Sequence, residues 1–333
     1  MKRVLSTILA VSVAVAASAG GAGAQLPLVI SPVRSGGSVT LSLETHVPGS
    51  LVTLAVDGEA LPPGMSFSGI TLAVSPAFFV LIETGTNRDG GLGLNAGISA
   101  DPALVGILAY VQGVAVDPGQ PGSYSVTTME SVGIHPPAIP EAQGIPLALS
   151  GDAQIAVPLQ AARIPFFGSV CSTLYVSSNG RITFEPAGPD PVESIAGFLT
   201  GAPCVAALWD DLEPGAGGQV VVSEDPLGAW VRVLWFEVPH SGAADSNTVQ
   251  VDLYANGAIT LEFGAVDLVD ALVGVTPGHG LSDVDPVDLS AWPYLAYAPG
   301  SAVFELFSSS FDLEHAVLSF VPRPTGEIAL LFN

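Results

Sequence analysis

Two Asn-Gly dipeptides, each placed between alternating apolar and polar residues, constrain the fold of this chain most strongly. Asn179-Gly180 follows the alternating run 174–178, and Asn256-Gly257 follows the run 248–254. Asn-Gly suits the two positive φ angles of a type I′ turn, whose twist matches the antiparallel strands that it joins. Each dipeptide therefore predicts a β-hairpin. Alternating runs on both sides of residues 225–228 predict a third one.

The remainder of the chain is also punctuated at short intervals, by 38 glycines and 28 prolines among 49% hydrophobic residues. No long run has the helical period, and short alternating runs between turn signals predict an all-β protein. Residues 38–44 read as a strand with residues 51–56 as its partner. Residues 78–82 read as a central strand, residues 107–116 as another, and residues 90–94 as irregular. Six or seven strands at this spacing predict a β-sandwich.

Three prolines in the six residues from His135 interrupt both helix and sheet, so the chain is divided there. We predict two β-sandwich domains in tandem after a signal peptide. The predicted segments are a signal peptide at 1–24, an N-terminal β-sandwich domain at 25–135, a proline-rich linker at 136–144, a second β-sandwich domain at 145–322 and a C-terminal tail at 323–333.

The amino terminus has the pattern of a secretory signal. Lys2 and Arg3 precede an apolar run over residues 4–17 and the small residues Ala22-Gly23-Ala24. A basic start, a short apolar core and an Ala-x-Ala site are typical of a cleaved signal peptide, and the run is too short for a permanent anchor. We therefore expect a secreted or cell-surface protein with no membrane span after cleavage.

Charge excludes several classes of partner. The chain has only eight basic residues. Removal of the signal takes away Lys2 and Arg3 and leaves six basic residues against 31 acidic ones. Such a chain is repelled by nucleic acid and by anionic lipid headgroups. The expected partner is an extracellular matrix or surface polymer or protein.

Cys171 and Cys204 make up the whole cysteine content of the chain. In an exported protein two cysteines are expected to form one disulfide bond, so the sequence predicts a Cys171–Cys204 bridge. Two free, buried thiols are the alternative.

Five segments occur in an order and spacing that match a known family. They are Ile164–Gly168, Val176–Gly180, Ala207–Leu212, Val231–His240 and Tyr254–Gly257. With them, residues 163–275 resemble the nidogen-like extracellular domain in the form found in secreted bacterial surface proteins.

The resemblance implies an adhesion or matrix-associated module to which no catalytic residues are assigned. In this reading Trp209 is a core anchor, and Asp210 and Asp211 accept hydrogen bonds in turns. The five histidines are scattered and no nucleophile motif is complete. We expect a secreted, non-catalytic cell-surface or matrix protein that needs no cofactor, with calcium as the exception discussed next.

The alternative is a calcium-dependent polysaccharide-binding or carbohydrate-active protein. Asp283, Asp285 and Asp288 lie in one proline-containing loop, and calcium prefers such oxygen ligands, although a solvated acidic loop has the same composition. Trp292 and Tyr294 are candidates for stacking on a sugar ring, in a segment that resembles a turn.

Overall fold

The chain divides into two compact units, residues 1–137 and residues 138–333. The computed structural model describes residues 26, 28–30, 33–45, 50–57, 66–67, 70–71, 82–85, 91–98, 100, 105–106, 108–117, 119, 124–126, 130–138, 144–281, 284–292 and 294–332. The predicted signal peptide lies outside these residues. Across them the protein is nearly all β, as predicted.

The first unit contains eleven described strands. They are β1 Leu28–Ile30, β2 Val33–Arg34, β3 Ser38–Glu44, β4 Leu51–Asp57, β5 Ser66–Phe67, β6 Ile70–Thr71, β7 Ile82–Gly85, β8 Gly91–Gly97, β9 Leu108–Val116, β10 Tyr124–Val126 and β11 Glu130–His135.

Two sheets enclose the core of the first unit. One has the strand order β1-β3-β8, and the other has the order β2-β11-β9-β4-β7, with β10 also paired to β9. Leu41 and Leu43 of β3 meet Val52 of β4 and Val111 of β9 in a single buried cluster. Because β-strands turn alternate side chains to opposite faces, the period-two runs bury one face of each sheet.

Four predictions concern strands of this unit. Residues 51–56 are not the partner of residues 38–44, because β4 pairs with β7 and β9, whereas β3 pairs with β1 and β8. Residues 91–94 are not irregular but begin β8. Residues 78–81 of the predicted central strand lie outside the described residues. The strand predicted at 107–116 is confirmed as β9.

The second unit contains sixteen described strands and one short helix. They are β12 Ile145–Pro146, β13 Gln154–Pro158, β14 Ile164–Phe166, β15 Ser169–Cys171, β16 Thr173–Ser177, β17 Arg181–Thr183, α1 Ile195–Thr200, β18 Cys204–Trp209, β19 Gln219–Glu224, β20 Trp230–Val238, β21 Asn247–Tyr254, β22 Ile259–Val266, β23 Asp270–Thr276, β24 Tyr294–Tyr297, β25 Val303–Ser308, β26 Val317–Pro322 and β27 Ile328–Phe332.

Two large antiparallel sheets pack face to face in this unit. One has the order β12-β19-β20-β21-β22-β26-β27-β24, and the other has the order β13-β16-β17-β18-β23-β25. Their inner faces share one buried cluster, in which Val233 and Trp235 of β20 lie with Val205 and Ala207 of β18 and Val273 of β23. This is the predicted sandwich core.

All three predicted hairpins are confirmed. The strands β16 and β17 pair across Asn179-Gly180, with Val176 opposite Ile182. Leu253 of β21 lies opposite Ile259 of β22, and Glu224 of β19 lies opposite Val231 of β20. The two glycines have φ angles of 65° and 85°, but Asn179 and Asn256 are not among the residues with a positive φ angle, so the hairpins form without the predicted type I′ turn.

The predicted C-terminal tail is wrong. Residues 328–332 form β27, which pairs with both β26 and β24 inside the larger sheet. Ile328 and Leu330 are buried in the shared core, so the end of the chain contributes to the sandwich.

A second, smaller core lies on the outer face of the six-stranded sheet. Ser194 caps α1 by accepting a hydrogen bond from Gly197 N at 3.1 Å, and Phe198 of the helix packs with Trp209. The Arg181 guanidinium lies 4.1 Å from the Trp209 ring centroid in a cation–π contact. Trp209 is therefore a core anchor, as the nidogen-like resemblance implied.

The structure contradicts the predicted disulfide, because both cysteines are free. Cys204 lies with Ala206 and Trp209 on the face of β18 that turns towards α1. Cys171 packs against the main core, which receives Val205 from the opposite face of β18. The alternation of side chains along β18 therefore directs the Cys204 thiol away from the core that Cys171 contacts.

No helix among the described residues is long and apolar enough to cross a membrane.

Candidate functional site

The five segments that carry the nidogen-like resemblance are grouped by the fold at its two ends. The Asn179-Gly180 turn lies beside the end of β18, where Gly180 O accepts hydrogen bonds from Ala207 N and Leu208 N. The Asn256-Gly257 turn lies at the other end, beside residues 165–168. We call the end with the Asn256-Gly257 turn the first end, and the end with the Asn179-Gly180 turn the second end.

The first end holds an uncharged pocket of about 460 Å³, which we call the end pocket. A volume of this size falls in the range of small-ligand sites. None of the described residues that line it carries a formal charge. The lining consists of four prolines, three phenylalanines, four glycines, three aliphatic residues and one asparagine: Pro165, Pro277, Pro299, Pro322, Phe166, Phe167, Phe320, Gly168, Gly257, Gly300, Gly326, Ile259, Val275, Ile328 and Asn256.

The β14–β15 hairpin forms one wall of the end pocket. Phe166 is buried and stacks on Phe184, with ring centroids 3.9 Å apart. Phe167 meets the Phe166 ring edge-on at 4.8 Å and remains partly exposed. Its φ angle is 42°, a left-handed conformation that is unusual for a residue with a bulky side chain. Phe167 and Gly168 are the two residues between the paired Phe166 and Ser169, and their φ angles of 42° and 84° have the signs that a type I′ hairpin turn requires.

The adjoining wall of the end pocket depends on a glycine. A Cβ atom at Gly257 would lie 3.2 Å from Pro322 Cγ and 3.5 Å from Pro165 Cβ. The absence of a side chain therefore allows the β21–β22 turn, the end of β26 and the β14–β15 hairpin to approach one another closely.

The second end holds a buried carboxyl group. Asp210 follows β18 directly, and its side chain is 8% exposed. Oδ1 accepts a hydrogen bond from Asp211 N at 2.8 Å, whereas the buried Oδ2 makes no hydrogen bond and lies 3.8 Å from His240 Nε2. Burial raises the pKa of Asp210 to about 6, with Glu193 and Asp270 adding to the increase.

Backbone contacts hold His240 in this position. Leu212 and His240 form an isolated antiparallel bridge, and His240 N donates to Asp245 Oδ1 at 2.7 Å. Ser241 N donates to Asp211 O at 2.7 Å. The Trp-Asp-Asp segment and the Val-Pro-His segment, both part of the resemblance, therefore meet at this end.

The structure describes two of the three calcium candidates. Asp283 lies outside the described residues, and Asp285 is exposed. Asp288 Oδ1 instead accepts a hydrogen bond from Ser290 Oγ at 2.8 Å, and the same hydroxyl lies 3.0 Å from Asp312 Oδ2. Across the described part of the chain, no three His, Cys, Asp or Glu residues form a group that could hold a metal ion. Calcium binding stays a prediction.

Sequence reasoning missed the acidic neighbours of Asp288. Glu305 of β25 accepts a hydrogen bond from Leu289 N at 2.8 Å, and burial raises its pKa to about 7, with Asp312 and Asp288 contributing. The sequence shows this group only through Glu305, a glutamate among the apolar residues of β25. Asp312 and Asp288 are 24 positions apart, so the sequence does not indicate that they are neighbours.

The aromatic candidates are placed differently from each other. Trp292 is 62% exposed. Tyr294 is partly buried in β24, its hydroxyl accepts a hydrogen bond from Arg323 Nη2 at 2.7 Å, and the guanidinium lies 5.5 Å from the ring centroid. Because the arginine covers one face of the Tyr294 ring, only Trp292 retains the exposure that a sugar platform needs.

Comparisons with known proteins identify no family. No family model matches the chain, and no curated protein matches its sequence. Among solved structures, red sea bream transglutaminase is 11% identical with a TM-score of 0.23, and the match covers 72% of this chain but only 29% of that one. The chain thus spans less than a third of the length of that protein.

Two further solved structures are similarly distant. Spo0M, a sporulation control protein from Bacillus subtilis, is 10% identical with a TM-score of 0.19 over 69% of this chain and 89% of that one. A 1.5-MDa bacterial ice-binding adhesin is 12% identical with a TM-score of 0.19 over 87% of this chain and all of the solved one. Likenesses at these scores carry no argument about fold or function.

Proposed function

We propose that this chain is a secreted, non-catalytic cell-surface or matrix protein, whose second unit is a nidogen-like adhesion module that binds through the end pocket. One observation carries the proposal. Two segments of the resemblance, about ninety positions apart in the sequence, form adjoining walls of one uncharged pocket. The partner is an extracellular surface polymer or protein.

Two properties of the end pocket support this function. Its prolines and glycines restrict or shape the backbone, so the cavity is formed before a partner arrives and binding orders few residues. Phe167 keeps its ring partly exposed at the wall, although burial of a phenylalanine side chain is worth about 2 kcal/mol. Such an arrangement favours binding over stability.

The end pocket also favours binding over hydrolysis. General acid–base catalysis needs titratable groups within reach of the reacting atoms, and the described lining residues provide none. The carboxyl groups with raised pKa values, Asp210 and Glu305, are not among the lining residues.

Add-back of labelled protein to cells tests the proposal. Purified full-length chain is applied to intact cells of the source strain from which its gene has been deleted, and bound label is measured against concentration. We expect saturable binding that Phe167→Gly weakens at least about tenfold, because the variant removes the pocket-wall ring while accepting the positive φ angle. Phe236→Ala is the matched control, since Phe236 is 40% exposed on β20 and lies outside the pocket.

Two results would oppose the proposal. Equal binding by the Phe167→Gly and Phe236→Ala variants would remove the end pocket from the mechanism. Hydrolysis of a surface polysaccharide that is abolished by one Asp or Glu substitution would replace adhesion with catalysis. Binding that requires calcium and is reversed by a chelator would favour the polysaccharide-binding alternative.

A further inference from the structure

The two Asn-Gly dipeptides have the same covalent structure but opposite surroundings. Asn179 is fully buried, and its Nδ2 donates to Asp152 Oδ1 at 3.0 Å and to Pro189 O at 2.9 Å. Gly180 is equally restricted, because an added Cβ would lie 1.9 Å from Leu208 O. This turn is closed on all sides that the structure describes.

The second dipeptide lies at an exposed hairpin tip. Asn256 is exposed, and its Oδ1 accepts a hydrogen bond from Ala258 N at 3.0 Å. Gly257 N donates to Tyr254 O at 2.8 Å. These two hydrogen bonds within the turn are the ones that must break before the Asn256 carboxamide can reach the Gly257 nitrogen.

We propose that Asn256 is a site of spontaneous deamidation that marks the age of the protein, whereas Asn179 is protected. The Gly257 backbone nitrogen attacks Asn256 Cγ and forms a succinimide. The bond from Cγ to Nδ2 breaks, and ammonia leaves with the proton that the Gly257 nitrogen gives up. Water then opens the ring at either carbonyl, which yields aspartate or isoaspartate.

The chemistry depends on access to a rare conformation. A glycine after the asparagine presents no side chain to obstruct the attack and gives the backbone its widest range of φ and ψ. Exposed loop tips open with small free energies, whereas buried turns open only with larger parts of the fold. The same reaction is therefore permitted at Asn256 and suppressed at Asn179.

The product changes the end pocket directly. Asn256 and Gly257 both line the pocket, whose described lining carries no charge, so deamidation introduces a carboxylate there. Isoaspartate also inserts a methylene into the backbone of a tight turn, and it does so beside a glycine at a φ of 85°. The consequence for adhesion rests on the proposed function; the modification itself does not.

Peptide mapping of the aged full-length protein tests the proposal. The protein is incubated in mildly alkaline buffer prepared with ¹⁸O-water, and isotope incorporation at each asparagine is followed by mass spectrometry. We expect the Asn256 peptide to convert at least about tenfold faster than the Asn179 peptide in folded protein, because the rates follow local opening. In denaturant both peptides should convert at similar rates.

The outcomes separate the modification from its effect on binding. Equal rates at the two sites in folded protein would overturn the proposal, as would conversion of neither site in folded protein while both convert in denaturant. Asn256→Gln should abolish the isotope signal at this position, and the binding of this variant to cells should be the same before and after ageing, whatever its level. If Asn256 converts but aged protein binds unchanged, the modification stands and the role of the end pocket is wrong.

Discussion

Replacing Asp210 by asparagine tests the second end of the sandwich most directly. The substitution keeps the size of the side chain and the Oδ1 acceptor for Asp211 N, but it removes the buried negative charge beside His240. Because the pKa of Asp210 is raised from 3.8 to about 6, ionising this carboxyl costs the folded state free energy. We therefore expect Asp210→Asn to stabilise the protein at neutral pH.

The sign follows from proton linkage. The folded protein holds the Asp210 proton up to pH about 6, whereas the unfolded chain releases it near pH 3.8. Between these values the native state binds more protons, so its stability falls as pH rises from about 4 to about 6. The shift corresponds to about 3 kcal/mol as an upper bound. Relaxation and the polar surroundings reduce this, and we expect about 1–2 kcal/mol.

Tryptophan fluorescence provides the assay, because all four tryptophans lie at or beyond position 209 and report on the second unit alone. Denaturant unfolding of the full chain is followed at pH 4, 5.5 and 7.5. Asp210→Asn should exceed the parent protein in free energy of unfolding at pH 7.5 and match it at pH 4. Asp211→Asn, at a partly exposed neighbour, is the control for the loss of one carboxylate at this end.

A result of either of two kinds would refute this reasoning. Asp210→Asn would be no more stable than the parent at pH 7.5, or its advantage would grow as the pH falls. In either case the Oδ2 atom would have a partner in solution that compensates for its charge.

Two further predictions concern the turns and the cysteines. Gly180→Ala should lower the free energy of unfolding by about 3 kcal/mol or more, because the new Cβ would lie 1.9 Å from Leu208 O. Gly168→Ala is the control: Gly168 has a φ of 84°, but no atom lies within 4 Å of an added Cβ. It should lower the free energy of unfolding by only about 1–2 kcal/mol. Fluorescence-monitored unfolding distinguishes them. Alkylation under non-reducing conditions should label Cys171 in folded protein and Cys204 only after unfolding, because burial raises the pKa of the Cys204 thiol to about 12. Recovery of the two cysteine peptides linked by a disulfide bond would contradict the structure.

The hairpins were predictable because their information is local. Asn-Gly sets the backbone conformation of a turn, and the alternating residues beside it set the register. Accordingly β16–β17 and β21–β22 pair as predicted. Alternation also explains the place of Trp235, which is fully buried together with Val231 and Val233 on the same face of β20.

Errors arose where the answer depended on distant strands. The period-two runs of β3 and β4 are consecutive in the chain, and nothing local shows that they join different sheets. The short apolar run at the end of the chain becomes core only because β26 and β24 lie on either side of it. Cys171 and Cys204 were expected to pair because an exported chain has two cysteines. Neither the compartment nor the number of cysteines indicates to which face of its strand each thiol points.

The sequence by itself determined the all-β class and the hairpins, because turn chemistry and alternation act over a few residues. Only the tertiary structure decided which residues of the nidogen-like resemblance meet. It brought Phe167 and Asn256 into one uncharged pocket and placed the buried Asp210 carboxyl group beside His240. Such groupings depend on strand order and sheet packing, which are properties of the whole chain rather than of any segment.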